Sequence, residues 1–440
     1  MELNEIKDLL REMGIVGAGG AGFPSYAKLS DKVDTIILNC AECEPLLKVH
    51  RQVLKEYTCE ILSALEAVVR ATGAKRGVIT LKSHYKTTLA ALESEISNYS
   101  DLSICKLRAV YPTGDELILI KEVTGRTVQP GKLPISVGVT VLNTETVYNI
   151  YRAMNGYPVT HKFVTVAGEV ARPITLRVPI GTKISHLISA AGGKTVEDAE
   201  YLSGGPMMGK LVSDSDVVTK TTNAIIVLPS DHTVVLNKTR NPATNLRRTM
   251  SVCCQCRSCT ELCSRHVLGY PVEPHMVMRV LSSGGKGNID ALAGSMFCSG
   301  CGLCESYSCP QGLSPKTMIA SLKAAARANG TKAPEGLQAN TNIPDAEFKK
   351  VSVERLIMRL GLKKYNVPAP LGDDFVAKSV KIPLLQHIGA PAKAVVAKGD
   401  TVKVGDIIAQ AADGALSVNI HASIDGKVES VDQKYIKITK

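Results

Sequence analysis

Nine of the thirteen cysteines fall within residues 253–309, spaced Cys253-x2-Cys256-x2-Cys259-x3-Cys263 and Cys298-x2-Cys301-x2-Cys304-x4-Cys309-Pro310. Thiols this close together cannot be bridged pairwise across a fold, so they read as metal thiolates in a reducing cytoplasm. Three evenly spaced cysteines let one loop wrap three corners of an iron–sulfur cubane, and in two-cluster ferredoxins the fourth thiolate comes from the other motif. The spacing predicts two [4Fe–4S] clusters, one on Cys253, Cys256, Cys259 and Cys309, the other on Cys298, Cys301, Cys304 and Cys263. Ser264 follows Cys263 where proline is usual, and the second motif has one extra residue before its last cysteine. The ligand set is therefore firmer than the crossing. Paired four-thiolate zinc sites are the rival reading, but they separate their C-x2-C pairs more widely and have no use for three even intervals. Cys254 reads as a bystander, and Cys40, Cys43, Cys59 and Cys105 as small buried hydrophobes. His266 and His275, near the first motif, are either surface residues or donors behind the ligands.

A chain of 440 residues with 45% hydrophobic side chains needs, and can build, several cores. It contains no run of 18 apolar residues, and its start, MELNEIKDLLREMG, is acidic and amphipathic. Neither a membrane span nor a signal peptide is expected. The net charge of +11 would suit a nucleic acid, but aromatic residues are 4% and Trp is absent. The basic residues read as solvated surface, with no nucleic-acid partner.

From 35 to 155, β-branched runs (35–39, 77–82, 103–110, 139–142) alternate with helix-like stretches (45–71, 84–98, 115–123, 144–154), the pattern of a parallel sheet covered by helices. Residues 162–212 read as a small mixed α/β module, and the apolar run 223–229 as a strand leading to the cysteines. A helix is expected through 315–328. Residues 329–380, rich in Ala, Asn, Lys and Pro, read as a linker with one helix near 352–361. The last sixty residues read as a small β-domain of short strands, in which His387 and His421 are packing residues. The expected domains are thus 1–158, 159–247, 248–330, a linker 331–380, and 381–440.

Gly17-Ala18-Gly19-Gly20-Ala21-Gly22 fits G-x-G-x-x-G, but the preceding segment 3–13 has helical, not strand, periodicity. The ordinary dinucleotide fingerprint therefore fails its context. What survives is a loop whose backbone can approach a ligand closely and hold phosphate on its N–H groups, or a structural glycine turn. The acidic end of the first strand, Asn39-Cys40-Ala41-Glu42-Cys43-Glu44, favours the ligand reading, because open α/β sheets bind ligands at that edge.

GAGGAGFPSYAK (17–28), NCAECEP (39–45), YPTGDE (111–116) and LNTETV (142–147), with the two cysteine motifs, resemble the family of the flavin-binding subunit of respiratory complex I. Its relatives include the RnfC component of the Rnf electron-transport complex and the cobalamin reductases of propanediol-utilisation microcompartments. The resemblance implies a multidomain α/β and α+β protein: a complex I flavoprotein-like parallel α/β domain for FMN and NADH, a β-grasp (SLBB-like) module with an extension, a two-cluster ferredoxin-like domain, and a C-terminal barrel-sandwich (RnfC-like) domain. It implies that Gly17, Gly19, Gly20, Gly22 and Lys28 cradle the FMN phosphate and ribityl groups. Asn39, Glu42, Glu44, Tyr111, Gly114, Glu116, Asn143 and Thr144 would line the rest. The sequence departs from the complex I pattern at Val16 (for Arg), Ala41 (for Asp), Asp115 (for Glu) and Leu142 (for Asn).

In the RnfC component the barrel-sandwich segment comes first; here it comes last, as in the cobalamin reductases. No Lys occurs from 404 to 426, where a carrier arm would need one. The module is thus expected to dock partners, and to be removable without harm to the redox core. The function implied is electron transfer from NADH through FMN and the clusters to a corrinoid or a partner redox protein, with no catalytic side chain. An adenosyltransferase and microcompartment shell proteins are further implied partners, and the microcompartment is the implied location. The rivals are an Rnf-type peripheral component docked on a membrane complex and a flavin-less scaffold. The apolar stripe of residues 2–13 suits an encapsulation signal or a helix packed on the flavin domain.

Overall fold

The computed structural model describes residues 1–284 and 289–440. Strands β1 (Thr35–Cys40), β2 (Arg76–Lys82), β3 (Leu102–Leu107), β4 (Val110–Tyr111) and β5 (Val139–Asn143) alternate with helices α1 (Leu3–Glu12), α2 (Val49–Glu56), α3 (Thr58–Thr72), α4 (Lys86–Glu95), α5 (Glu116–Thr124) and α6 (Thr144–Met154). Four strands form a parallel sheet in the order β3-β2-β1-β5. Their near-continuous apolar runs suit burial on both faces. Ile6 and Leu10 of α1 are fully buried, so that stripe is a packing face.

Two expected elements are divided. The helix read over 45–71 breaks at Tyr57 (φ −119°, ψ 43°), whose ring packs 4.4 Å from that of Tyr148 on α6. The strand read over 103–110 ends at Leu107, and β4 leaves the sheet.

In the β-grasp module, β6 (His161–Gly168), β7 (Ile174–Pro179), β8 (Ala199–Ser203), β9 (Lys210–Val212) and β10 (Ala224–Pro229) run in the order β7-β6-β10-β8-β9, with helix α7 (Ile184–Ala190). The run 223–229 is therefore more than a lead into the cysteines: β10 is the buried central strand, parallel to β6 and antiparallel to β8. Around the cysteines lie α8 (Thr233–Thr239), α9 (Pro242–Val252), α10 (Ser258–Glu261), α11 (Ser264–Val267), α12 (Pro274–Ser282), α13 (Ile289–Ser295) and α14 (Pro315–Ala328).

The linker reading of 331–380 requires correction. Residues 331–350 run without helix or strand, but β11 (Val351–Ser352) pairs antiparallel with β4, joining Val351 to Tyr111. Helix α15 (Val353–Arg359) follows, and Leu356, Leu362 and Tyr365 share a buried cluster with Tyr111, Leu228 and Leu303. The few apolar residues of this polar stretch are spent on distant partners, which local composition does not show.

The C-terminal strands β12 (Ser379–Pro383), β13 (Lys393–Ala394), β14 (Thr401–Val402), β15 (Ile407–Gln410), β16 (Ile420–His421), β17 (Gly426–Val431) and β18 (Tyr435–Thr439) form two sheets, β12-β18-β17-β14 and β13-β15-β16. Their core, including Ile382, Ile408 and Ile436, is continuous with that of the first domain. Arg11 donates to the Ala412 carbonyl (3.2 Å), and Ile388 N–H to the Ala21 carbonyl in the glycine loop (3.0 Å). The buried Lys220 Nζ donates to the carbonyls of Gly14 (2.6 Å) and Asn419 (3.1 Å). His387 and His421 are buried in this seam.

Such a seam is incompatible with a removable module. Deleting residues 381–440 would strip apolar cover from the core that the module shares with the first domain. The truncated chain should melt well below the intact one by scanning calorimetry; an unchanged transition of the remaining domains would show the module to be independent.

Glu169 ties the β-grasp module to the segment after α15. Its carboxylate accepts from Lys364 Nζ, Tyr365 Oη and Thr195 Oγ1, each at 2.7 Å. These bonds, Lys364 first, hold its carboxyl down at about 2. A depressed carboxyl stabilises the fold fully above its ordinary value and loses that effect as pH falls toward the folded value. Because Lys364 is largely exposed, Glu169→Gln should lower the melting temperature at pH 7 by only about 1–2 °C. The gap should narrow steadily as the pH is taken from about 5 toward about 2.

Candidate functional site

The sheet order reverses beside β1: the chain leaves β1 for β2 on one side, and β5 docks on the other with Asn39 opposite Asn143. Such a reversal opens a crevice at the carboxyl ends of the strands. Here it is a cleft of about 490 Å³, walled by the glycine loop, the ends of β1 and β5, and Leu133–Ile135. Gly20 (φ 62°) and Gly22 (φ 68°) take left-handed conformations, and Gly17 N–H bonds back to Phe23 O (2.9 Å), closing the loop. Ala18 N–H donates to Thr146 Oγ1 (2.9 Å). Among the described residues, the N–H groups of Gly19, Gly20 and Ala21 have no protein acceptor, and neither does the buried Ser25 hydroxyl. Three consecutive unspent N–H groups with the Lys28 ammonium nearby suit an anionic group. A Cβ on Gly20 would meet nothing within 4 Å and would project into open space.

Eleven of the thirteen residues expected at the flavin line this cleft: Gly17, Gly19, Gly20, Gly22, Lys28, Asn39, Glu42, Glu44, Gly114, Glu116 and Asn143. Several are held by neighbours. Asn39 donates to Gly114 O (3.0 Å) and accepts from Ala41 N–H (3.0 Å), so its amide is fixed at both ends. Lys28 Nζ bonds Glu116 Oε1 (2.8 Å) and Val141 O (3.2 Å). Asn143 caps α6 by accepting from Glu145 N–H (2.9 Å) and turns its NH2 to His50 Nε2 (3.0 Å). Burial holds His50 at about 4, so the ring is neutral and accepts.

The two acidic residues are engaged elsewhere. The Glu42 carboxylate accepts from His50 N–H (2.7 Å) and Arg51 Nε (3.1 Å). Burial alone would raise its carboxyl, but Arg51, the His50 N–H and Lys82 outweigh it and hold it low. Glu44 accepts from Met207 N–H (3.0 Å) and Met208 N–H (2.8 Å), latching the strand end to the β-grasp turn; burial pushes its carboxyl up.

Tyr111 and Thr144 do not line the cleft. Thr144 is buried and donates to Asn39 O (3.1 Å). Tyr111, drawn out of the sheet by β11, donates its hydroxyl to Cys301 O (2.6 Å), inside the second cysteine motif. Asp115, one of the departures from the complex I pattern, caps α5 and forms a two-pronged pair with Arg265 (2.8 and 2.9 Å). The flavin cleft and the cysteine loops are thus bolted together.

Cys253, Cys256, Cys259 and Cys309 line a single cavity, with Cys254 and His275 at its edge. Burial pushes the Cys259 thiol up to about 12, and Cys309, Cys256 and Cys253 add to the rise. The Cys263 thiol, also about 12, is raised by burial and then by Cys301 and Cys298; Cys304 is raised by burial, then by Glu305, and then by Cys298, Cys301 and Cys263. The first set thus shares one cavity, and Cys263, Cys298, Cys301 and Cys304 are near enough to influence one another electrostatically. Among the described residues no group of three or more His, Cys, Asp or Glu side chains is placed to hold a single metal ion.

The two loops repeat one backbone shape. The residues flanking the middle cysteine are left-handed in both: Gln255 (φ 55°) and Arg257 (φ 64°) in the first, Gly300 (φ 73°) and Gly302 (φ 82°) in the second. Without glycine that conformation costs about 1 kcal/mol per residue. N–H groups reach three of the sulfurs: Gln255 Nε2 to Cys253 (3.2 Å), Gly300 N to Cys298 (3.4 Å) and Leu313 N to Cys309 (3.4 Å), contacts that shift a cluster's potential. His275 accordingly borders the first cavity instead of lying free on the surface. Of the upstream cysteines, Cys40 is buried as expected, Cys43 borders the cleft, Cys105 is half-buried and Cys59 is exposed.

Sequence reasoning missed Ser25, His50, Thr146 and Asn223 in the cleft wall. Ser25 lies inside the quoted loop motif and could have been read there. Asn223 carries no local signal, because it comes from the neighbouring module.

Family models match every domain in turn: the Nuo51 FMN-binding domain over residues 10–152, the SLBB domain over 163–211, a 4Fe-4S dicluster domain over 252–314, and the RnfC barrel sandwich hybrid domain over 360–440. The chain is 40% identical, over 100% of its length, to 97% of the cobalamin reductase PduS of Salmonella typhimurium. It is also 40% identical, over 99% of its length, to 96% of the PduS of Citrobacter freundii. A component of the Na(+)-translocating ferredoxin:NAD(+) oxidoreductase complex of Acetobacterium woodii is 32% identical over 61% of this chain and 59% of its own. Among solved structures, the H2-reduced NAD+-reducing [NiFe]-hydrogenase shares the fold, with a TM-score of 0.51 at 20% identity over 77% of this chain and 69% of that one. An FMN-binding domain, an SLBB domain, a dicluster domain and a terminal barrel sandwich, in an order shared end to end with those reductases, leave one assignment: this oxidoreductase chain belongs to the cobalamin reductase PduS family.

Proposed function

We propose that the chain carries electrons from NADH through FMN and two [4Fe–4S] clusters to a corrinoid. The observation that carries this reading is the joint between cleft and cysteines, where Tyr111 bonds Cys301 and Asp115 bonds Arg265. Bound FMN takes up two electrons as hydride and can release them one at a time. The protein's part is placement. The glycine loop and Lys28 hold the anionic end, Asn39 and Asn143 fix the strand-end edge, and Leu133–Ile135 form an apolar wall.

The set Cys263, Cys298, Cys301 and Cys304 lies on the flavin side of the joint. The set Cys253, Cys256, Cys259 and Cys309 includes the exposed Cys256 and is the exit. No residue need move a proton in this relay, so no catalytic side chain is assigned. The names of the full-length relatives support the corrinoid acceptor, and the cleft with its unspent donors favours a flavoenzyme over a flavin-less scaffold. The cytoplasmic microcompartment, with an adenosyltransferase and shell proteins as partners, rests on the sequence resemblance alone. Among the described residues no helix is long and apolar enough to cross a membrane.

Anaerobically reconstituted protein should hold about eight iron and about eight sulfide per chain. Cys301→Ala should drop both to about four while FMN stays bound; about one zinc and no sulfide would end the cluster reading. With NADH as donor, the reconstituted protein should reduce cob(III)alamin faster than it reduces a ferredoxin. The reverse order would favour the Rnf-type role.

A further inference from the structure

We propose that Asn223, supplied by the β-grasp module, binds the phosphate of FMN, and that the buried pair Glu145–Lys162 aims it. The inference rests on the flavin reading of the cleft and extends it beyond the matched FMN-binding domain, which ends at residue 152.

Asn223 immediately precedes β10, and its backbone carbonyl is held by Thr165 N–H (3.0 Å). Its side chain reaches out of its own module into the cleft wall. The Lys162 ammonium, which can only donate, bonds Asn223 Oδ1 at 2.7 Å. That contact settles which end of the amide is which: the oxygen is occupied by Lys162, and the NH2 faces the glycine loop. Lys162 is itself buried and pinned by the Glu145 carboxylate, which also accepts from Phe163 N–H (3.0 Å). The amide is thus oriented before any ligand arrives, which lowers the ordering cost of binding.

Gly19 records the other side of the contact. Gly20 and Gly22 need glycine for their left-handed backbone, but Gly19 has no positive φ. A Cβ at position 19 would instead lie 2.7 Å from Asn223 Nδ2. The missing side chain makes room for the amide. Among the described residues Asn223 Nδ2 has no acceptor, and the N–H groups of Gly19, Gly20 and Ala21 beside it are also unspent. Four donors without a protein acceptor at one end of a cleft suit an oxyanion, and the phosphate is the part of FMN that supplies one.

The test is titration of flavin-stripped, cluster-loaded full-length protein with FMN and, separately, with riboflavin, followed by fluorescence quenching. Asn223→Ala should weaken FMN about tenfold or more, as expected for a lost bond to a charged group. Riboflavin affinity, cluster absorbance and melting temperature should stay as in the wild type. Gly19→Ala should weaken FMN in the wild type and much less in the Asn223→Ala background, where the methyl has space. Asn223→Asp keeps the shape but replaces the donor with a like charge, so it should bind FMN worst; this variant serves if the alanine protein folds poorly. Wild-type FMN affinity in either Asn223 variant, or an equal loss of FMN and riboflavin, would overturn the inference alone. A wild-type protein that takes up no FMN would overturn the flavin reading with it.

Discussion

The parallel pairing of β1 with β5, with Asn39 opposite Asn143, is the constraint on which the site depends. It sets the reversal of strand order that opens the cleft, and it brings two asparagines to the same edge, each already bonded to its own loop or helix. A slip of one residue in that ladder would turn one of the two asparagines to the opposite face of the sheet, away from its partner. The glycine loop, arriving from a helix instead of a strand, needs this edge because it has no sheet of its own to stand on.

The remaining modules are interlocked with the flavin domain by polar contacts that serve more than cohesion. Glu44 and Asn223 make the β-grasp module part of the cleft, while Tyr111 and Asp115 fasten the cysteine loops to it. A route for single electrons needs short, fixed separations, and buried hydrogen bonds with a two-pronged ion pair provide rigidity that apolar contact alone would not.

Local pattern made much of the fold legible. The alternation over 35–155 appears as the parallel sheet, because apolar runs of five or six residues have little choice when both faces are covered. The cysteine spacing leads to the expectation that Cys309 joins Cys253, Cys256 and Cys259, and these four line one cavity. What stayed hidden depends on distance along the chain. Tyr111 was placed at the flavin because its motif neighbours Gly114 and Glu116 are there, yet pairing with Val351 pulls it toward Cys301. Likewise Asn223 and the segment 351–365 owe their places to partners in other modules, far off along the chain, which no window of sequence displays.

The contact of Ile388 with Ala21 also has a consequence in time. The glycine loop is synthesised before its brace, and the β-grasp and cysteine regions lie between them. The bond from Ile388 N–H to the Ala21 carbonyl can form only after residue 388 has been made, so the loop lacks this brace while the intervening modules are synthesised. A chain interrupted before residue 388 therefore lacks that brace on the wall of the cleft.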